Sequence, residues 1–177
     1  VIATENGAPA ELELDSVAFR NSRSVWPIPT EANGNAICAV CDTFWMGKAP
    51  KEHCGEKVIQ HYAAFPVELV RRMLAAGASA HGVCPECLAP WKRVTSDSEG
   101  EAFDKPGDSY VPAVTLGWEP TCEHELEPVP ATALDPFAGS GTTLLVARKL
   151  GLHSIGVELN SDYARMIRAR TGQQTLV

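Results

Sequence analysis

The chain has 177 residues, 45% of them hydrophobic, and a formal net charge of −7 from 15 Lys and Arg against 22 Asp and Glu. That length suits one domain with an inserted module and allows a sizeable core. No apolar run is long enough to span a membrane and none resembles a signal segment, which excludes a helical membrane protein and predicts a soluble, cytoplasmic one. An acidic balance excludes an overall basic surface, so any nucleic-acid-binding face is local or lies on another part of the protein. A first residue of Val rather than Met reads as part of a longer protein.

In chain order, Val1 to Ser16 is polar and rich in acids, and residues 1–19 read as a flexible lead-in. Residues 20–80 follow as a lead-in segment, a first cysteine knuckle and a helix. Arg20 and Arg23 in Arg20-Asn21-Ser22-Arg23-Ser24-Val25-Trp26 are candidate phosphate contacts, because guanidinium matches phosphate bidentately. For two arginines alone solvated surface charge is the stronger reading, and Trp26-Pro27-Ile28 reads as extended. The six cysteines are Cys38, Cys41, Cys54, Cys84, Cys87 and Cys122, and they include two C-x-x-C pairs. Without a secretory signal that pattern favours metal over disulfides. Cys38, Cys41, His53 and Cys54 have the ligand types of tetrahedral Zn²⁺. The adjacency of His53 and Cys54 counts against them, since neighbouring side chains rarely reach one ion. Free thiols, or ligands borrowed from elsewhere, are the alternatives.

Val67 to Ala76 is an amphipathic helix, with Pro66 in its first turn, Gly77 as its stop and Leu69, Val70, Met73 and Leu74 as its apolar stripe. His61 before it reads as a ligand contact, a cap or an exposed residue. Residues 81–130 form a zinc-ribbon-like insertion. Cys84-Pro85-Glu86-Cys87 with Cys122 and His124 completes a Cys₃His set. Four protein ligands close a zinc site, so its role is structural. Trp91 is placed to pack over this knuckle. Thr95 to Pro120 reads as a long acidic loop with a short strand at Tyr110 to Thr115.

Residues 131–177 carry a strand–Gly loop–helix–strand–helix unit. The strand ends in Asp135, and Pro136-Phe137-Ala138-Gly139-Ser140-Gly141 is the turn. A helix opens at Thr142-Thr143, and a second strand, His153 to Val157, ends in Glu158. Glycines allow close backbone approach, and the helix start offers unpaired N–H groups. An acid about 20 residues past such a loop is where ribose hydroxyls are bound in Rossmann-like folds. No Lys follows Gly141, so this is not a P-loop, and Leu144 stands where a dinucleotide fingerprint wants a small residue. The last helix, Ser161 to Arg170, turns Tyr163, Met166 and Ile167 inward and leaves Arg165, Arg168 and Arg170 exposed.

The string Asp135-Pro136-Phe137-Ala138-Gly139-Ser140-Gly141-Thr142-Thr143 resembles the S-adenosylmethionine motif of the exocyclic-amino DNA methyltransferases, which modify adenine N6 or cytosine N4. His61-x-Ala63-x-Phe65-Pro66 with its helix, and the segment from Arg20 to Trp26, are similar to stretches of the same family in its permuted class. The resemblance implies a partial Rossmann-like, S-adenosylmethionine-dependent α/β methyltransferase fold interrupted by the zinc insertion. It implies that Asp135 to Thr143 and Glu158 bind the cofactor, that His61, Phe65 and Pro66 flank it, and that double-stranded DNA is the substrate, as in restriction–modification. The family's Pro-Pro-aromatic catalytic tetrapeptide does not occur in this sequence. In the permuted order it lies upstream, so the resemblance implies a cofactor-binding C-terminal part that an upstream catalytic and target-recognition half would complete. The alternative is a non-catalytic zinc module on a degenerate methyltransferase fold, which would have no reason to keep Glu158 together with the Gly loop. Two parallel strands are too few for a stable sheet, so Ala133 to Asp135 should lie beside an unpaired edge.

Overall fold

The computed structural model describes residues 2–4, 28, 34–62, 65–96 and 114–172. Arg20, Arg23, Trp26 and Ala63 lie outside the described residues, as does most of the long acidic loop. The elements in chain order are β1 (Ile2–Thr4), β2 (Asn35–Cys38), β3 (Phe44–Met46), β4 (Glu52–His53), β5 (Glu56–His61), α1 (Val67–Gly77), β6 (Lys92–Thr95), β7 (Thr115–Glu119), β8 (Thr132–Asp135), α2 (Thr142–Lys149), β9 (His153–Gly156) and α3 (Ser161–Thr171). They make a mixed α/β chain that divides into two units. One contains residues 34–78 and 132–172 with β1, and the other residues 79–131.

In the first unit, β8 and β9 pair in parallel through the α2 crossover, and β1 pairs antiparallel with β9. Ile2–Thr4 are therefore a strand rather than part of a flexible lead-in. Among the described residues β8 has a neighbour on one side only, and Leu134 at that edge is 66% exposed. Leu144, Ala138 and Ile167 form the core between the Gly loop, α2 and α3. Met166 and Ile167 are fully buried, in line with the apolar face expected for α3. Its arginines are not simply exposed, because Arg165 and Arg170 both hold partners inside the unit.

Where only a knuckle was expected there is a four-stranded antiparallel sheet, in the order β3-β2-β5-β4. All four residues of β2 are buried. Side chains alternate between the faces of a strand. Asn35, Ile37, Ile59 and His61 share the inner face, and Ala36, Val58 and Gln60 the outer one. The β4–β5 hairpin turns on Cys54 and Gly55 at φ 52° and 80°, the pair of positive values that a type I′ turn requires. α1 packs against α2. Val70 is buried, but Met73 is 58% exposed, so the helix buries a narrower stripe than its sequence suggests. Gly77 is the last helical residue rather than the stop, and Ala78 caps the end in an extended conformation.

The second unit is built on the β6–β7 hairpin. Its second strand is Thr115–Glu119, and residues 110–113 of the strand expected at Tyr110 to Thr115 lie outside the described residues. Trp91 packs on the ring of His81, with centroids 4.9 Å apart, and His81 in turn stacks on Trp118 at 5.4 Å.

Candidate cofactor loop and metal clusters

Asp135 closes β8, and its Oδ1 accepts the N–H of Phe137 at 3.0 Å, which starts the turn. Gly139 has φ 54°, and a Cβ there would stand 2.9 Å from His61 Nε2. Only glycine meets both conditions without strain. Gly141 caps α2 in the left-handed region, and no side chain caps the helix, so its first N–H groups are not taken by a side-chain acceptor. Glu158 Oε2 accepts the Gly139 N–H at 2.8 Å, and its Oε1 accepts the Asn160 N–H at 2.8 Å. Each carboxylate oxygen keeps a further lone pair for a ligand hydroxyl.

Below the loop, Ser140 and Thr142 are buried. Arg170 donates to Thr142 Oγ1 at 2.8 Å and to the Ser140 carbonyl at 3.2 Å. Asn35 donates to Ser140 Oγ at 2.7 Å. His61 stands edge-on to Tyr163, with centroids 4.6 Å apart, and its buried Nδ1 has no hydrogen-bond partner among the described residues. Burial pushes this imidazole below the usual histidine range, against the pull of the Glu158 carboxylate. Above the loop, Phe137 is 85% exposed and Leu159 fully so.

The loop residues Asp135 to Thr143, Glu158 and His61 thus come together. Phe65 is half-exposed and Pro66 is the N-cap of α1; neither is hydrogen-bonded to the loop among the described residues. Asn35, Asn160 and Arg170 complete the cluster and were not singled out from sequence. Asn160 alone had a local signal, as the helix cap that accepts the Asp162 N–H.

Cys38, Cys41, His53 and Cys54 gather their ligand atoms within 4.8 Å of one another, and so do Cys84, Cys87, Cys122 and His124. Neighbouring ligands on tetrahedral zinc lie about 3.5–3.8 Å apart. The separations here are 3.6 Å for Cys54–Cys41, 3.5 Å for Cys41–His53 and 3.6 Å for Cys84–His124. The objection to His53 and Cys54 is removed by the left-handed turn at Cys54, which brings its Sγ within 3.3 Å of His53 Nδ1.

The two C-x-x-C turns share one backbone plan. Cys38 N–H donates to Thr43 O and Asp42 N–H to Cys38 O; Cys84 N–H donates to Ala89 O and Leu88 N–H to Cys84 O. Asp42 and Leu88 hold the same positive φ, 55° and 60°. Donation from the Cys87 backbone N–H, ahead of other contributions, holds the Cys84 thiol at about 7. The thiol of Cys54, facing Cys41, is pushed up to about 11. Several thiolates cannot crowd together without a cation to balance them.

Residues 128–169, which run from the lead-in of β8 into α3, match the DNA methylase family model for N6 and N4 enzymes. The matched segment contains the Gly loop and Glu158. The chain is 56% identical over 36 residues to the type II methyltransferase M.ScaI of Streptomyces caespitosus, covering 20% of this chain and 12% of that protein. It is 54% identical over 39 residues to M.HindIII of Haemophilus influenzae, covering 22% and 13%. It is 49% identical over 37 residues to M.SmaI of Serratia marcescens, covering 21% and 13%. The chain therefore spans about an eighth of the length of these curated relatives. No solved structure matches it. No helix among the described residues is long and apolar enough to cross a membrane.

Proposed function

We propose that the chain is the cofactor-binding part of an S-adenosylmethionine-dependent DNA methyltransferase of the adenine-N6 or cytosine-N4 type, on a partial Rossmann-like fold. The observation that carries this reading is the Glu158 carboxylate bound to the Gly139 N–H at 2.8 Å. It puts a hydroxyl acceptor at the lip of a glycine turn whose helix start has no side-chain cap. Bound there, S-adenosylmethionine would supply an electrophilic sulfonium methyl group. Glu158 would accept the ribose hydroxyls, and the loop from Asp135 to Thr143 would hold the amino-acid portion. Phe137 and Leu159 would cover the base. His61, whose Nε2 lies beside Gly139, would flank the cofactor.

Double-stranded DNA is the proposed substrate, and a second half carrying catalytic and target-recognition residues is the proposed partner. The open β8 edge and the exposed Leu134 support such a partner, since parallel strands are ordinarily covered on both faces. Each Cys₃His cluster is proposed to hold one structural Zn²⁺, with no position open for water. The second cluster would close the base of an insertion at residues 81–130, and the first would clasp the sheet that supports the loop.

The test is calorimetric titration of the zinc-loaded chain with S-adenosylmethionine. Asp135→Ala and Glu158→Gln serve as comparison variants. Asp135 also shapes the turn through Phe137, so Glu158→Gln is the cleaner of the two. Binding that both variants weaken supports the reading. A folded chain that takes up no S-adenosylmethionine would overturn it.

A further inference from the structure

We propose that a grooved surface of the four-stranded sheet grips the phosphodiester backbone of duplex DNA through Lys48, Lys51 and Lys57. Two grooves, of about 250 and 450 Å³, adjoin on this sheet and share Gln60 and Tyr62. Lys48 lines the first, and Lys51 and Lys57 line the second. These are three of the six lysines in a chain whose net charge is −7. Among the described residues the one acid lining either groove is Glu52.

All three lysines are exposed. None has an ion-pair partner among the described residues, whereas Lys92 faces Glu119 and Arg165 faces Asp42. The Tyr62 hydroxyl donates to the Gln60 side-chain carbonyl, which leaves the Gln60 amide N–H groups free to donate. Unpaired ammonium groups and one amide are a donor set for phosphate oxygens. They carry no base-edge pattern, so they position DNA without reading its sequence. Asn35, which also lines the first groove, and His61 touch the Gly loop. A duplex held in these grooves would thus be anchored to the layer that supports the cofactor loop. Naming duplex DNA, rather than another polyanion, rests on the methyltransferase reading.

The test measures fluorescence anisotropy of a labelled 20-base-pair duplex with the zinc-loaded chain across a salt series. The variant is Lys48→Gln/Lys51→Gln/Lys57→Gln, and the control is Lys92→Gln/Lys149→Gln. Zinc content and far-UV circular dichroism confirm that both variants are folded. The triple variant should bind at least tenfold more weakly at low salt. Its slope of log K against log salt should become shallower by about 2–3, near 0.9 for each phosphate that the lysines no longer neutralise. The control should stay within about twofold of the parent. Three results would overturn the proposal: no duplex binding by the parent chain, equal weakening in the control, or heparin binding with the same lysine dependence but no duplex binding. Titration with S-adenosylmethionine on the same samples reports separately on the cofactor site. Retained cofactor binding with an idle groove would sink this inference alone.

Discussion

Asn35 and Ser140 are 105 residues apart in sequence, yet the Asn35 amide donates to the Ser140 hydroxyl at 2.7 Å, and both residues are buried. The bond joins the cysteine-bearing sheet to the glycine loop. Arg165 makes a second tie, from α3 to Asp42 Oδ1 at 2.6 Å and to the carbonyl of Ala39. The first knuckle is therefore fastened to the same unit that carries the cofactor loop. Asn35→Ala should cost about 1–3 kcal/mol, the range for removing a buried partner. At roughly 2–4 °C per kcal/mol for a chain of this size, the melting temperature should fall measurably. A double-mutant cycle with Ser140→Ala should return a coupling of about 1 kcal/mol, the usual net worth of one hydrogen bond. Strictly additive effects would show that the bond contributes nothing.

Glu158 links the loop to the proposed ligand. A hydrogen bond to a charged group contributes about 1.5–3 kcal/mol, and Glu158→Gln should therefore weaken S-adenosylmethionine binding by about 10–150-fold in calorimetry. Glu158→Ala should in addition lower thermal stability, because Gly139 and Asn160 would both be left without their acceptor. If Glu158→Gln binds as tightly as the parent, the carboxylate is only a loop brace.

Two Cys₃His clusters predict two zinc ions per chain by elemental analysis. Cys54→Ser should leave one ion, and Cys122→Ser should leave the other. Cys54→Ser should also lower the affinity for S-adenosylmethionine, because its cluster sits in the sheet that carries Asn35 and His61. A parent chain that holds a single zinc would show that one cluster is merely four nearby side chains.

Burial lowers the His61 pKa, so the folded state favours neutral imidazole. The unfolded chain binds more protons once the pH drops below about 6.5. The stability this group contributes is present above that pH and is lost as pH falls through it. Glu158 pulls the other way, and Arg170 reinforces burial. Melting curves from about pH 7.5 to 5.5, a range that brackets the ordinary histidine value, should therefore fall more steeply for the parent than for His61→Asn. Zinc-ligand protonation is common to both proteins and cancels in the comparison. Parallel curves would mean that His61 is protonated without cost.

Some of this architecture was legible in the sequence because it is local. The β8–loop–α2 unit depends on an apolar run, two glycines and a helix start, all within a short stretch of neighbouring residues. The second cysteine knuckle was legible for the same reason, and its pairing with Cys122 and His124 followed from ligand chemistry. The four-stranded sheet was not legible. Its strands run from two to six residues, too short to show a period, and β2 is buried on both faces and so shows no alternation. The hairpin that brings His53 and Cys54 to one point depends on a cysteine in a left-handed conformation, which composition does not announce.

The sequence by itself determined the strand–glycine turn–helix unit, the acid that closes its second strand and the two sets of Cys and His side chains of metal-ligand type. These are statements about chemical type and short spacing, and they survive any packing. Only the tertiary structure decided that Arg165 and Arg170 work inside the unit, that Asn35 supports the loop and that three lysines line adjoining grooves. Those relations join residues separated by up to 126 positions. Their energies arise from burial and from the pairing of polar groups removed from water, which no local pattern records.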